Sequence, residues 1–234
     1  MKKFIKNLAK MNPKIYVNYS DLHNINLKLT PDSIKKNINS KYTIEHIIPQ
    51  SFSKIKCNSN RDLHVLTTYS DLLNKYRSNY GYDNIDIITD KHKIMDMEGG
   101  LVNYNFSIHN KNLTAIKCNE NKIFSPQNIY KGIIARSIMY YYVMYSQYNS
   151  EIFNNIINPN TLINWHYKYP VTKEEYERNL NIYLYQGNLN PFILYPELIQ
   201  VVIHHELNID SIHFNNFNYK KHFYKFTKIQ STVI

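Results

Sequence analysis

The stretch Tyr42-Thr43-Ile44-Glu45-His46-Ile47-Ile48-Pro49 decides how this chain is read. Its residues are mostly β-branched or aromatic, and Pro49, which has no amide to give to a ladder, stops the run. It reads as a strand that carries a carboxylate and an imidazole side by side near its end. Downstream, Ser51 to Asn60 is rich in Lys, Ser and Asn and reads as a loop, and Leu63-His64-Val65-Leu66-Thr67 reads as a second short strand. Ser70 then offers an N-cap oxygen to a helix over Asp71 to Arg77, which the Ser78-Asn79-Tyr80-Gly81 turn closes.

Glu45-His46 alone is a weak signal, because a histidine at a strand end is more often a hydrogen-bonded structural residue. The order of parts strengthens it: strand ending in Glu-His, polar loop, second strand, then a helix carrying Asn74. That order is the ββα-metal, or His-Me finger, arrangement, in which the histidine and the helical residue face each other across a small cleft. Hydrolysis of a phosphodiester needs a water deprotonated near neutral pH, which a neutral imidazole does well. It also needs the charge developing on the phosphate and the leaving oxygen to be neutralised, which a hard divalent cation does. Glu45 offers a carboxylate and Asn74 an amide carbonyl, an oxygen set that suits Mg²⁺, Mn²⁺ or Ca²⁺ and suits Zn²⁺ poorly.

The sequence resembles bacterial endonuclease I, the non-specific nucleases of the His-Me finger superfamily. The resemblance rests on Glu45 to Phe52, on Arg61-Asp62-Leu63-His64-Val65-Leu66, and on Asn74 to Tyr80. It continues through Lys131-Gly132-Ile133-Ile134-Ala135-Arg136, the Trp165 region, Glu177-Arg178-Asn179, and Tyr185 to Phe192, covering roughly residues 40 to 200. It implies His46 as general base, Glu45 and Asn74 as metal ligands, and a nearby arginine that stabilises the scissile phosphate. Arg61 is the choice for that arginine, because a planar guanidinium holds two phosphate oxygens at once; Lys54 and Lys56 compete for the role. Expected products carry 5′-phosphate and 3′-hydroxyl ends. The chain departs from the family at Val65, where a second histidine is usual, at Leu189 in place of an arginine, and at Leu194 in place of an aspartate. None of these touches Glu45, His46 or Asn74.

Composition agrees with a polyanionic partner. Among 234 residues, 28 Lys and Arg face 18 Asp and Glu, a net charge of +10, and each phosphate such a surface neutralises releases condensed counterions. DNA is the expected substrate, with RNA as a second substrate class. Charged residues at 20% and hydrophobic residues at 43% argue against disorder. Cys57 and Cys118 make no disulfide framework and lack the spacing of a zinc site, so free thiols are expected, with one bridge left open. The basic N-terminus contains no signal-peptide core, and no apolar run reaches the ~20 residues of a membrane span. The expected location is therefore intracellular, with packaging in a virion or other compartment as one means of sparing the cell's genome.

The remainder reads as a single mixed α+β domain over 1–234, with a small antiparallel sheet, several packed helices, a basic lead-in over 1–20 and an unassigned tail from 208. Leu101 to Ile108 and Leu113 to Lys117 read as hairpin strands. Asn128 to Ser146 reads as a long helix buried on most faces, and its Tyr140 to Tyr145 cluster as core rather than a base-stacking platform. Asn160 to Tyr167 is a short helix. Thr172 and Glu175 fit a capping box for a helix that ends at Gly187, Asn188 to Tyr195 is a loop, and Pro196 to Leu207 a last helix. His64 reads as a structural tie and Trp165 as core, while Arg136 reads as either the partner of a buried carboxylate or a residue facing the cleft, with the paired role favoured. Arg77 fits a helix-end cation and is also a candidate contact to DNA phosphate. His204-His205-Glu206 is not a zinc-protease pattern, because adjacent histidines point to different faces.

The expected activity is thus a divalent-metal-dependent, largely sequence-independent endonuclease. Two other readings stand beside it. One is a nucleic-acid-binding or packaging protein that keeps the nuclease fold without cutting, and the other is a toxin of that fold with a cognate inhibitor.

Overall fold

The computed structural model describes residues 15–52, 58–110, 113–145 and 151–207. Lys54, Lys56 and Cys57, the N-terminal lead-in up to residue 14 and the tail from 208 lie outside the described residues.

Two short helices, α1 (Tyr19–Lys28) and α2 (Asp32–Lys35), precede the Glu-His strand β1 (Tyr42–His46). β1 pairs antiparallel with β2 (Leu66–Ser70), in a register that sets Glu45 opposite Thr67 and His46 opposite Leu66. The helix α3 (Asp71–Arg77) follows β2 without a break, and the Ser70 hydroxyl accepts the amide of Leu73 at 3.2 Å as its N-cap. The expected order of first strand, second strand and helix is therefore present, with one local correction; most of the stretch read as the loop between the strands lies outside the described residues or in the 3₁₀ turn Asn58–Arg61. Leu63–Val65 is a 3₁₀ turn, and the second strand begins only at Leu66. Asp62 causes the shift, since its carboxylate caps the turn at the His64 amide (3.0 Å).

A second sheet has the order β3-β6-β5-β4, with β3 (Gly81–Tyr82), β4 (His92–Met95), β5 (Ala115–Cys118) and β6 (Ile123–Ser125). β3 runs parallel to β6, and the other pairs are antiparallel. Tyr104–His109, overlapping the Leu101 to Ile108 stretch read as a hairpin strand, is a helix (α4). A helix under two turns long shows too little of the 3.6-residue period to be told from a strand by alternation.

The long helix α5 (Asn128–Met144) runs through the core as expected: Tyr130, Ile134, Ala135, Ile138, Met139, Tyr140 and Tyr141 are all at most 1% exposed. Around it stand α6 (Ile152–Asn155), α7 (Pro159–Lys168), α8 (Lys173–Gln186), α9 (Pro191–Leu194) and α10 (Leu198–Leu207). α9 falls inside the segment expected to be loop, and the Asn190 side chain caps it at the Phe192 amide. At the start of α8 only half of the capping box forms. Thr172 accepts the Glu175 amide at 3.1 Å, while the Glu175 carboxylate turns away to Arg136. Gly187 ends α8 at a φ of 75°, in the left-handed region.

The β1–β2 hairpin is gripped from two sides. From α1, the Asn26 amide donates to the Thr67 carbonyl (3.1 Å) and the Thr68 hydroxyl (2.9 Å); from α5, the Tyr130 hydroxyl donates to the Thr68 carbonyl (2.8 Å). A main apolar cluster centred on α5 takes in Ile47, Ile48, Tyr69 and Leu73, and a smaller one joins Val17, Leu22, Leu63, Leu66 and Ile182. The end of β1 that carries Glu45 and His46 is therefore set on rigid supports.

Candidate active site

α3 is tied to β1 through Asn74. Its amide nitrogen donates to the Thr43 hydroxyl (2.7 Å) and to the Ile44 carbonyl (2.8 Å), one residue before Glu45. Both donors are spent on the strand, so the carbonyl oxygen is the end left for a ligand; no donor reaches it among the described residues. Sequence reasoning put Asn74 on the helix; the structure adds that its orientation is fixed by β1 itself.

Glu45 is 2% exposed. The Nε of Arg77 lies 3.0 Å from its Oε1, and the Tyr82 hydroxyl donates to the same oxygen at 3.4 Å. The Arg77 contact is an ion pair without the alignment of a hydrogen bond. Oε2 receives no donor among the described residues. Burial pushes the Glu45 carboxyl up to about 7, against the opposing pull of Arg77. A carboxylate this enclosed, with one oxygen left over, is a site where a cation would be stabilising.

Arg77 corrects an expectation. It is 1% exposed, donates to the carbonyls of Ile47 (2.8 Å) and Ser78 (2.9 Å), and stacks on the Tyr82 ring with its guanidinium carbon 4.7 Å from the centroid. A side chain so enclosed and committed is not placed to touch a DNA phosphate at the surface. It holds Glu45 instead.

His46 is partly buried. Its Nε2 lies 3.2 Å from the Asn60 carbonyl and 3.0 Å from the Gln50 amide nitrogen, so one tautomer donates to Asn60 and the other accepts from Gln50. Burial lowers the imidazole below its usual range, and the positive charge of Arg77 adds to this, with the Asn60 contact opposing. The ring is neutral at neutral pH, as a proton acceptor has to be.

Asn60 and Arg61 belong to the same 3₁₀ turn, Asn58–Arg61. Arg61 donates to the Asn58 side chain (2.8 Å) and lies over the Tyr16 ring at 5.6 Å, with no carboxylate pairing it among the described residues. The structure thus puts Arg61 next in chain to the residue that holds His46, on the solvent side. Its competitors Lys54 and Lys56 lie in the segment outside the described residues.

What steadies this turn is not visible in local sequence. Asp62, fully buried, accepts four hydrogen bonds: from the His64 amide (3.0 Å), the Gln186 amide (2.8 Å), and the hydroxyls of Tyr140 (2.7 Å) and Tyr145 (2.8 Å). Gln186 also receives the Leu63 amide and bonds Asn188, whose carbonyl meets His64 at 3.2 Å. His64 is the structural tie that was expected. Arg178 adds a clamp, with one guanidinium nitrogen on the carbonyls of Leu63 and Leu66. Asp62 stands among the residues that carry the family resemblance, yet its side-chain partners lie 78 to 124 positions away and no local spacing announces them.

Among the described residues, no group of three or more His, Cys, Asp or Glu could hold a metal. The candidate ligands are one carboxylate and one amide oxygen, a sparse set that leaves coordination positions to water and substrate oxygens. Cys118 is a free, buried thiol. No described helix is long and apolar enough to cross a membrane.

Comparison with curated proteins returns no match to this sequence. The family model for Endonuclease I matches residues 3–197, reaching well upstream of the segment that carries the resemblance, and the chain belongs to the endonuclease I family.

Proposed function

We propose that this protein is a divalent-metal-dependent, largely sequence-independent endonuclease acting on DNA, and on RNA as a second substrate class. Family membership makes it a nuclease and implies a divalent metal. The observation that supports the finer reading is the hydrogen bond from the Asn74 amide to the Ile44 carbonyl, which ties this α3 residue to the strand that carries Glu45 and His46 and leaves its amide oxygen uncommitted.

The tautomer of His46 that donates its Nε2 proton to Asn60 leaves Nδ1 as the basic nitrogen. There the imidazole takes a proton from water as the water attacks phosphorus. Glu45 and Asn74 would hold Mg²⁺ or a similar hard cation, which supplies neutralising charge at the phosphate and the leaving oxygen. Arg61 fits the role of gripping non-bridging phosphate oxygens, and the +10 surplus supplies attraction that reads no sequence. Arg77 and Tyr82 keep Glu45 in place while leaving Oε2 open.

Plasmid cleavage tests this. Wild type is expected to cut with Mg²⁺ or Mn²⁺ and to stop with EDTA, and His46→Ala to be at least ~100-fold slower at equal protein. If neither protein cuts with any metal while both retard DNA at low salt, the fold serves binding or packaging and the enzymatic reading fails.

A further inference from the structure

Tyr82, whose hydroxyl meets Glu45, leads through its ring to a second polar site. The Tyr82 ring meets the Trp165 ring edge-on at 6.3 Å, and Trp165 in turn backs a cleft of about 420 Å³ between the second sheet, the start of α5 and the end of α7. That volume is in the range of small-ligand sites. Asn84, Asp86, Asn128, Lys131, Lys168 and Tyr169 line it.

Lys131 is the unusual member. It is only 9% exposed, and no carboxylate lies within ion-pair distance of it among the described residues. Among the described residues its ammonium reaches one oxygen, Asn84 Oδ1, at 3.4 Å, and that oxygen already accepts the Trp165 indole N–H at 2.9 Å. The rings of Trp165 and Tyr169 offer it cation–π faces at 5.3 and 5.9 Å. Burying an ammonium without a counter-charge is costly. Elsewhere the protein avoids that cost: Arg136, five residues along the same helix, has Glu175, and Arg77 has Glu45. Burial, then repulsion from Lys168, lowers the Lys131 amine to about 8, with Asp86 opposing.

Its surroundings favour an anion. Lys168 stands exposed at the rim, also without a carboxylate partner among the described residues. The α5 N-terminus opens on the cleft, and its N-cap residue Gln127 makes no side-chain cap, so the positive end of a 17-residue helix adds to the field. Asp86 is the one carboxylate lining the cleft, against two ammonium groups and the helix end.

We propose that this cleft binds a phosphate group, with Lys131 as its buried counter-charge and Lys168 as its rim contact. The phosphate comes either from the backbone of a bound nucleic acid or from a free phosphate or mononucleotide. Trp165, the only tryptophan, lies against Lys131 and reports occupancy.

The test uses the full chain in EDTA, so that neither metal nor cleavage enters. Inorganic phosphate, a 5′-mononucleotide and a short DNA duplex are titrated in turn while Trp165 emission is followed. Wild type is expected to give a saturable change with inorganic phosphate, Lys131→Gln a response at least about tenfold weaker, and Lys131→Arg to retain it. Thermal unfolding of the variants shows that they are folded. If Lys131→Gln also lowers the salt slope of duplex binding by about one, the backbone is the source; if duplex binding is untouched while the mononucleotide response is lost, the source is free phosphate. Equal responses in wild type and Lys131→Gln, or no saturable response to any of the three, overturn the proposal. His46→Ala is expected to respond as wild type does, which separates this site from the hydrolytic one.

Discussion

Two buried ion pairs in this protein look alike in residue type and differ in what they leave over. Arg136 and Glu175 close on each other completely: Nε to Oε1 and Nη2 to Oε2, both at 2.6 Å, with the remaining guanidinium nitrogen on the Tyr169 carbonyl at 3.0 Å. Nothing of Glu175 is left for a ligand. Arg77 and Glu45 meet at one oxygen, at 3.0 Å and out of line, and Glu45 Oε2 accepts no hydrogen bond among the described residues. The first pair joins α5 to α8. The second holds a carboxylate in a poor state for itself, with its acidity weakened to about 7. A carboxylate kept where its own charge is disfavoured contributes little to folding and is ready for a cation.

The comparison breaks most readily on stability. Glu175→Gln leaves Arg136 buried and unmatched and is expected to destabilise by about 3–5 kcal/mol, lowering Tm by roughly 10 °C. Glu45→Gln also leaves Arg77 without a carboxylate but is expected to cost less, because the carboxylate it replaces is already disfavoured and Arg77 keeps two carbonyls and the Tyr82 ring. Calorimetry of the two variants settles the order, and a larger loss at Glu45 would reverse the assignment of roles.

An effect of similar size, spread over several pH units, comes from acid. Burial lowers both His64 and His166 to about 4, from an ordinary 6.5, so the folded protein keeps them neutral where the unfolded chain protonates them. Stability is then full above pH 6.5 and falls as the pH drops toward 4, by up to about 1.4 kcal/mol per pH unit for each histidine. Denaturant midpoints at several pH values across that window check it; a flat midpoint contradicts neutral burial. Because His64 belongs to the Asp62 network behind Arg61, the loss is expected to reach the active-site turn.

The smallest effect separates Arg61 from Arg77. Arg61→Lys keeps a charge on a half-buried turn and is expected to slow cleavage by about tenfold while leaving Tm unchanged. Arg77→Lys is expected to lower Tm as well, because four contacts depend on its guanidinium. Equal behaviour of the two would put Arg77 back among the surface contacts.

What the sequence discloses follows from how far its signals reach. β1, the Ser70 cap, α3 and the burial of α5 are legible because each depends on neighbours within a few positions. The pairing of Arg136 with a buried carboxylate is legible in kind, since an arginine in an apolar helix has few alternatives, although Glu175 as that partner is not. Arg77 is misread because a basic residue in a last helical turn has a sufficient local explanation, and only the fold shows Ile47, Tyr82 and Glu45 closing around it. Asp62 and the Asn60 carbonyl stay hidden for the same reason: their contacts are long-range, and a backbone carbonyl has no residue type to betray it. The helix at Tyr104–His109 is hidden by its brevity.

The measurement that reaches the central claim most directly is Mn²⁺ binding by the full chain, followed by loss of the free-ion resonance signal, in wild type, Glu45→Gln and Glu175→Gln. The open pair predicts one bound ion in wild type, binding at least about tenfold weaker in Glu45→Gln, and unchanged binding in folded Glu175→Gln. Equal affinity in wild type and Glu45→Gln would contradict it, and would place the metal somewhere other than the end of β1.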